Sequence, residues 1–221
     1  MTETQAREEI CRVGKSLFDR GYVHATAGNI SVRLDDGGML ITPTDACLGF
    51  LDPAALARLD AQGVQSSGSR ASKTAVLHAA VYNAARQFDP GTQCVIHTHS
   101  THCVALSLRS LGTELLPALT PYFVMKVGHV PLLPYARPGS AAAVKAVDKA
   151  IAGYGARRCA IRAVMLARLG PTVWHDTPGS AMAVLEELEE TAKLRSLCPG
   201  EPQPLSDADI EELRQAFGAR W

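Results

Sequence analysis

The chain has 221 residues, 47% hydrophobic and 5% aromatic, enough for one substantial core and short for two, so residues 1–221 are expected to form a single domain. Its 22 Lys and Arg balance 22 Asp and Glu, which excludes the electrostatic footprint of a nucleic-acid or anionic-membrane binder. No apolar run reaches the roughly 20 residues of a membrane helix, and Met1-Thr2-Glu3-Thr4 is polar and acidic rather than signal-like, so a soluble cytoplasmic protein is expected.

The first helix is marked by Ile10, Val13 and Leu17 at helical spacing and runs to about Arg20, with Gly21 suited to end it. Ile30, Val32 and Leu34 alternate as a strand. Asp35-Asp36-Gly37-Gly38 is turn chemistry, and Met39-Leu40-Ile41 returns as the hairpin partner. After a loop containing Pro53, the segment from Ser72 to Ala85 repeats Val76, Leu77, Ala80, Val81 and Ala84 as a helical face.

The apolar run Cys94-Val95-Ile96 then ends in His97-Thr98-His99. Side chains alternate across a strand, so the two imidazoles project the same way and form a chelate for one Zn²⁺, Mn²⁺ or Fe²⁺ ion. Such a pair points to a lyase or hydrolase that uses the ion as a Lewis acid.

Further on, a helix is expected from Thr101 to Leu108, then short strands at Tyr122 to Lys126 and Val130 to Leu133 in a Pro-rich stretch. Ser140 can cap a helix carrying Val144, Val147 and Ile151. Arg162 to Ala167 and Thr172 to Trp174 read as a hairpin around Arg168-Leu169-Gly170-Pro171. The next helix carries Met182, Leu185, Leu188 and Ala192 on one side, and Glu186, Glu187, Glu189 and Glu190 read as its solvated face. Ser206 and Asp209 make a capping box for a terminal helix through Phe217. The six cysteines are scattered without a Cys-x-x-Cys pair, as expected for reduced thiols.

Taken with Gly28-Asn29-Ile30-Ser31-Val32-Arg33, Ile41-Thr42-Pro43-Thr44, Val130-Pro131-Leu132-Leu133-Pro134-Tyr135 and Pro138-Gly139-Ser140, the histidine pair gives the chain a family likeness from Ile10 to about Leu197. It resembles the class II aldolase/adducin-head family, the zinc-dependent sugar-phosphate aldolases and epimerases typified by L-fuculose-1-phosphate aldolase and L-ribulose-5-phosphate 4-epimerase. The segments running from Gly28 to Leu34, from Thr44 to Asp52 and from Glu186 to Lys193 look most like its 3-oxo-tetronate 4-phosphate decarboxylase branch.

The resemblance implies an α/β protein, an αβα sandwich around a mainly antiparallel sheet, assembled as a homotetramer with sites between subunits. It implies a divalent metal, most simply Zn²⁺, on His97 and His99, and a small phosphorylated substrate held by Asn29, Thr44, Ser72 and Lys73. That set is chemically apt, because an amide, hydroxyls and backbone N–H groups at a helix start cradle an anion.

Two positions depart from the family pattern. An acidic residue normally follows the Ser-Lys pair, and here Thr74 stands there; a threonine cannot move a carboxylate's proton. The family's third metal histidine normally precedes Gly-Pro, and here that residue is Leu169. Catalytic zinc generally takes three protein ligands, so His175, close after the same turn, is the expected replacement, with His129, His102, His24 and Cys103 as further candidates. The other resolution is loss of the ion, with Arg168 supplying positive charge.

In this family an enediolate is shared by several reactions, and losing carbon dioxide from a 3-oxo acid generates it without a base to remove a proton. The expected activity is therefore metal-dependent decarboxylation of a phosphorylated 3-oxo sugar acid such as 3-oxo-tetronate 4-phosphate. Thr74 stands at the acid position, and Tyr122, from Thr120-Pro121-Tyr122, is the candidate proton donor. A sugar-phosphate aldolase using another acid and a noncatalytic adducin-head-like member are the alternatives.

Overall fold

The computed structural model describes residues 1–109 and 112–221. Helix α1 (Glu3–Asp19) opens with Thr2 and Gln5 capping each other and turns Ala6, Ile10, Val13 and Leu17 inward as one stripe. Full burial of each larger member of that stripe contributes about 1.5–3 kcal/mol.

The strands are β1 (Asn29–Arg33), β2 (Met39–Ile41), β3 (Ala57–Leu59), β4 (Gln65–Ser67), β5 (Cys94–His97), β6 (Leu132–Leu133), β7 (Ala163–Leu166) and β8 (Gly170–His175). They form one eight-stranded sheet in the order β4-β3-β2-β1-β5-β8-β7-β6. Every neighbouring pair is antiparallel except β6 and β7. The remaining helices are α2 (Ala75–Ala85), α3 (Thr101–Ser107), α4 (Ala141–Ala156), α5 (Pro178–Leu197) and α6 (Asp207–Phe217).

Period-two alternation splits the core into two layers. Ile30, Leu40, Cys94, Ile96 and Val173 face a cluster completed by α1 and by Leu185 and Leu188 of α5. Ile41, Val95, Val164 and Trp174 face the other way, against Leu77 and Val81 of α2 and Val147 and Ile151 of α4. The expected αβα sandwich is the observed architecture. None of the helices among the described residues is long and apolar enough to cross a membrane.

Three local readings change. The loop around Pro53 holds β3 and β4, which extend the sheet past β2. Tyr122 to Lys126 is not a strand but leads into a π-helical turn, Phe123–Val127, closed by the Gly128 N–H donating to the Phe123 carbonyl at 3.0 Å. Phe123, Val124 and Val127 are all buried there, a helical rather than alternating spacing.

The third change concerns the glutamates of α5. Glu190 is exposed as expected, but Glu189 is buried and accepts from the N–H groups of His102, at 2.8 Å, and Cys103, at 3.0 Å. Ser100, the residue before α3, makes no side-chain cap. The Glu189 carboxylate therefore caps α3 from a neighbouring helix, satisfying orphan donors and complementing the positive helix end.

Candidate active site

His97 is the last residue of β5, in the middle of the sheet, between Asn29 of β1 and Thr172 of β8. Its Nδ1 lies 3.0 Å from the Pro171 carbonyl and 3.0 Å from the Thr172 hydroxyl. A carbonyl only accepts, so Nδ1 carries the hydrogen and Nε2 keeps its lone pair, the tautomer that binds a metal through Nε2. Burial, helped by the neighbouring His99, pushes the His97 pKa down to about 3, so the ring is neutral at working pH.

The His99 ring centre is 5.2 Å from that of His97. Two imidazoles holding one ion tetrahedrally at about 2.0–2.1 Å from a ring nitrogen have centres about 5 Å apart, so the pair fits a shared divalent ion. Burial and then the charge of His24 lower the His99 pKa as well.

The backbone around the pair is held tightly. A Cβ on Gly170, whose φ is +149°, would stand 1.9 Å from the Thr98 carbonyl, so the β7–β8 turn reaches the histidine segment only because it carries no side chain there. On the far side of the pair, Glu189 fixes the first turn of α3.

The segments that carry the predicted phosphate residues adjoin one another. The Thr42 hydroxyl accepts from the Ile30 N–H, the Ser72 N–H donates to the Thr42 carbonyl, and the Thr44 N–H donates to the Arg70 carbonyl. These bonds lay Asn29, Thr44 and Ser72 on adjoining segments. Lys73 is exposed beside them.

A residue that the sequence reading passed over aims Asn29. His78 of α2 is fully buried, with Nε2 2.6 Å from Asn29 Oδ1 and Nδ1 2.7 Å from Ser31 Oγ. An amide oxygen accepts, so Nε2–H donates to it and Nδ1 accepts from Ser31. The Asn29 NH₂ is left available as the donor. Burial, with the charge of His97, pushes the His78 pKa to about 3, and Tyr82 closes the network at 2.7 Å from Ser31 Oγ. Thr74, His78 and Tyr82 recur every four residues, a polar stripe from the cap along a mostly apolar helix, and that spacing was the available signal.

Thr74 and Leu169, the two departures, line the same small cavity as His97. Its volume is about 20 Å³, and Leu77, Leu133 and Leu166 make much of its wall. The Thr74 hydroxyl sits 2.8 Å from that of Ser72. No carboxylate lines this space among the described residues.

His175 does not join the pair. It is opposite Cys94 at the other end of β8, three residues beyond the Thr172 that faces His97, or about 10 Å along a strand. Its Nδ1 lies 2.5 Å from Asp176. Closeness to the turn in sequence gave the wrong end of the strand. Tyr122 is largely exposed at the head of the π-helical turn. Among the described residues, no three His, Cys, Asp or Glu side chains are gathered closely enough to hold an ion as they stand. His97 and His99 thus fit as two ligands, and the family's third position does not. A wider cleft, about 1150 Å³, lies elsewhere, lined by Glu114, His129, Arg195 and Trp221.

Residues 8–196 match the family described as Class II Aldolase and Adducin N-terminal domain. The chain belongs to that family. It is 51% identical over 228 residues to the 3-oxo-tetronate 4-phosphate decarboxylase of Cupriavidus necator, covering 100% of this chain and 99% of that protein. Similarity to the protein of the same name from Escherichia coli K12 is 42% over 216 residues, covering 96% of each. Among solved structures, YgbL from Escherichia coli, described as a putative aldolase/epimerase/decarboxylase, aligns with a TM-score of 0.84 at 40% identity, covering 96% of this chain and 99% of that one.

Proposed function

We propose that this class II aldolase family member is a metal-dependent decarboxylase, a carbon–carbon lyase acting on a phosphorylated 3-oxo sugar acid of the 3-oxo-tetronate 4-phosphate type. The observation that carries this reading is the cavity shared by His97, Thr74 and Leu169. Aldol cleavage needs a base for a substrate hydroxyl, and the residue at the family's acid position is a threonine bonded to Ser72. Loss of carbon dioxide needs none. It also turns a charged carboxylate into a neutral product, which a largely apolar wall favours. Similarity along the full length to proteins named for this reaction supports the same conclusion.

The chain's residues divide the work. Asn29, aimed by His78, presents its NH₂ to the substrate phosphate beside Thr44 and Ser72, with Lys73 adding charge at the mouth. His97 and His99, both kept neutral by burial, would hold the divalent ion through ring nitrogens. That ion, when bound, supplies Lewis acidity to the substrate carbonyl. The bond from the α-carbon to the carboxylate breaks, its electron pair passes into the enediolate, carbon dioxide leaves, and the same carbon then takes a proton.

Tyr122 is the donor in this reading, delivered across an interface of a homotetramer, and its exposure within one chain supports that placement. Zinc as the ion, a single domain over 1–221 and a cytoplasmic setting complete the proposal, the last supported by six free cysteines. The test is a paired assay. Carbon dioxide is expected from a 3-oxo-tetronate 4-phosphate, and no aldehyde from a ketose 1-phosphate; aldehyde release alone would make the protein an aldolase, and no turnover of either would make it the noncatalytic member that Leu169 and Thr74 also suit.

A further inference from the structure

His97 and His99 leave a divalent ion one protein ligand short, and the fold commits most of the other imidazoles elsewhere. His78 is bonded to Asn29 and Ser31, His102 to Glu189, His129 to Glu114, and His175 to Asp176. His24 is exposed, and its ring lies against His99, with centres 6.5 Å apart. His99 thus has the rings of both His97 and His24 as neighbours.

We propose that His24 is the third metal ligand of this chain, closing onto the ion held by His97 and His99 and standing in for the histidine that Leu169 replaces. The inference rests on reading His97 and His99 as ligands. Two imidazoles on one ion have centres about 5 Å apart at a tetrahedral angle and about 6.4 Å apart at most. His24 stands just outside that limit, and an exposed side chain crosses the gap by rotating about its own bonds. His24 would complete the site on rotating inward, and three histidines would leave a fourth position open for substrate.

The loop that carries His24 is positioned for this role. Val23 is buried in the α1 side of the core, and the Ala27 N–H donates to the His24 carbonyl, closing a turn. Ala25 in that turn has φ +47°, a conformation that an L residue holds only when its surroundings impose it. Gly28, at φ +88°, then brings the chain so close that a Cβ there would be 3.0 Å from the His97 carbonyl. The His24 turn is thereby seated against the backbone of the residue it would serve.

Cobalt(II) titration of metal-stripped full-length protein, read by visible absorption and by bound metal after equilibrium dialysis, tests this without relying on turnover. One tightly bound cobalt with an intense tetrahedral-type spectrum is expected for the natural chain. His24→Ala should weaken binding roughly a hundredfold or more, since losing even an outer partner of a ligand costs about ten- to a hundredfold. His24→Asp, which restores a donor, should recover much of that loss, and His175→Ala should change nothing. Unaltered affinity and spectrum in His24→Ala would overturn the His24 assignment and leave the His97–His99 pair standing. No stoichiometric cobalt in the natural chain, or none lost in His99→Ala, would instead remove the pair and His24 with it.

Discussion

The two ends of this molecule's histidine chemistry differ in one respect, the presence of a carboxylate. His97 and His78 are buried among apolar and neutral polar groups, and both are pushed to a pKa of about 3. His129 sits 2.8 Å from Glu114, which also accepts from Tyr154 at 2.5 Å, while Trp221 stacks on its ring at 4.3 Å. Burial alone would lower His129 too, but hydrogen bonds to Cys159 and Glu114 and the Glu114 charge outweigh it and hold the pKa at about 9. The same side chain is thus neutral in one place and a cation in the other. A metal site needs the first kind, which burial provides at His97, where no carboxylate lines the adjoining cavity among the described residues.

The strongest way to break this contrast is to remove the neutral pair. His97→Ala with His99→Ala should abolish stoichiometric metal and cut decarboxylation on the order of a thousandfold or more, the Lewis acid being worth several kcal/mol. Unchanged metal content, measured by elemental analysis, would place the ion elsewhere. Next in size is Asn29→Ala. It should weaken phosphorylated ligands by about 1.5–3 kcal/mol, the worth of a charge-assisted hydrogen bond, and barely affect unphosphorylated analogues. Equal loss for both ligand types, by calorimetry, would make Asn29 a folding residue only.

The pH dependence of stability separates the regions by sign. For His97 and His78 the folded pKa lies below the unfolded value of about 6.5, so their contribution is present above that value and is lost as pH falls toward 3. Two such groups give a slope of up to about 2.7 kcal/mol per pH unit in that window. For His129 the folded pKa is raised, so its contribution is present below about 6.5 and lost as pH rises through 9. Glu114→Gln should therefore destabilise the protein by about 1–2 kcal/mol at pH 6 and by much less at pH 10, measured by urea unfolding. A deficit of equal size at both values would show that Glu114 acts through packing or neutral hydrogen bonds. The smallest effect belongs to Thr74→Glu. An anion in the cavity beside His97 should slow carbon dioxide release severalfold by repelling the substrate carboxylate, and a faster variant would mean that the family's acid was merely missing.

Much of this was legible in the residues because it is local. The His97-Thr98-His99 pair, the hairpin of β1 and β2, the Ser140 cap and the Ser206–Asp209 box are each written within a few positions and appear as expected. β3 and β4 were missed because three-residue strands are too short to show alternation, and Gln65-Ser66-Ser67 carries no apolar face. Glu189 looked like its neighbouring glutamates, and only the docking of α3 against α5 distinguishes it. The choice between His175 and His24 likewise depends on strand register and on where a loop folds back. Seven histidines in a row of letters do not say which of them share a space.

The measurement closest to the central claim is carbon dioxide release from a 3-oxo-tetronate 4-phosphate by natural protein and by the His97→Ala/His99→Ala variant, each stripped of metal and then resupplied with a divalent ion. Release that disappears on stripping, returns on resupply in the natural protein and does not return in the variant is the expected result. Release that survives stripping, or that returns equally in the variant, would contradict the assignment of the ion to this pair.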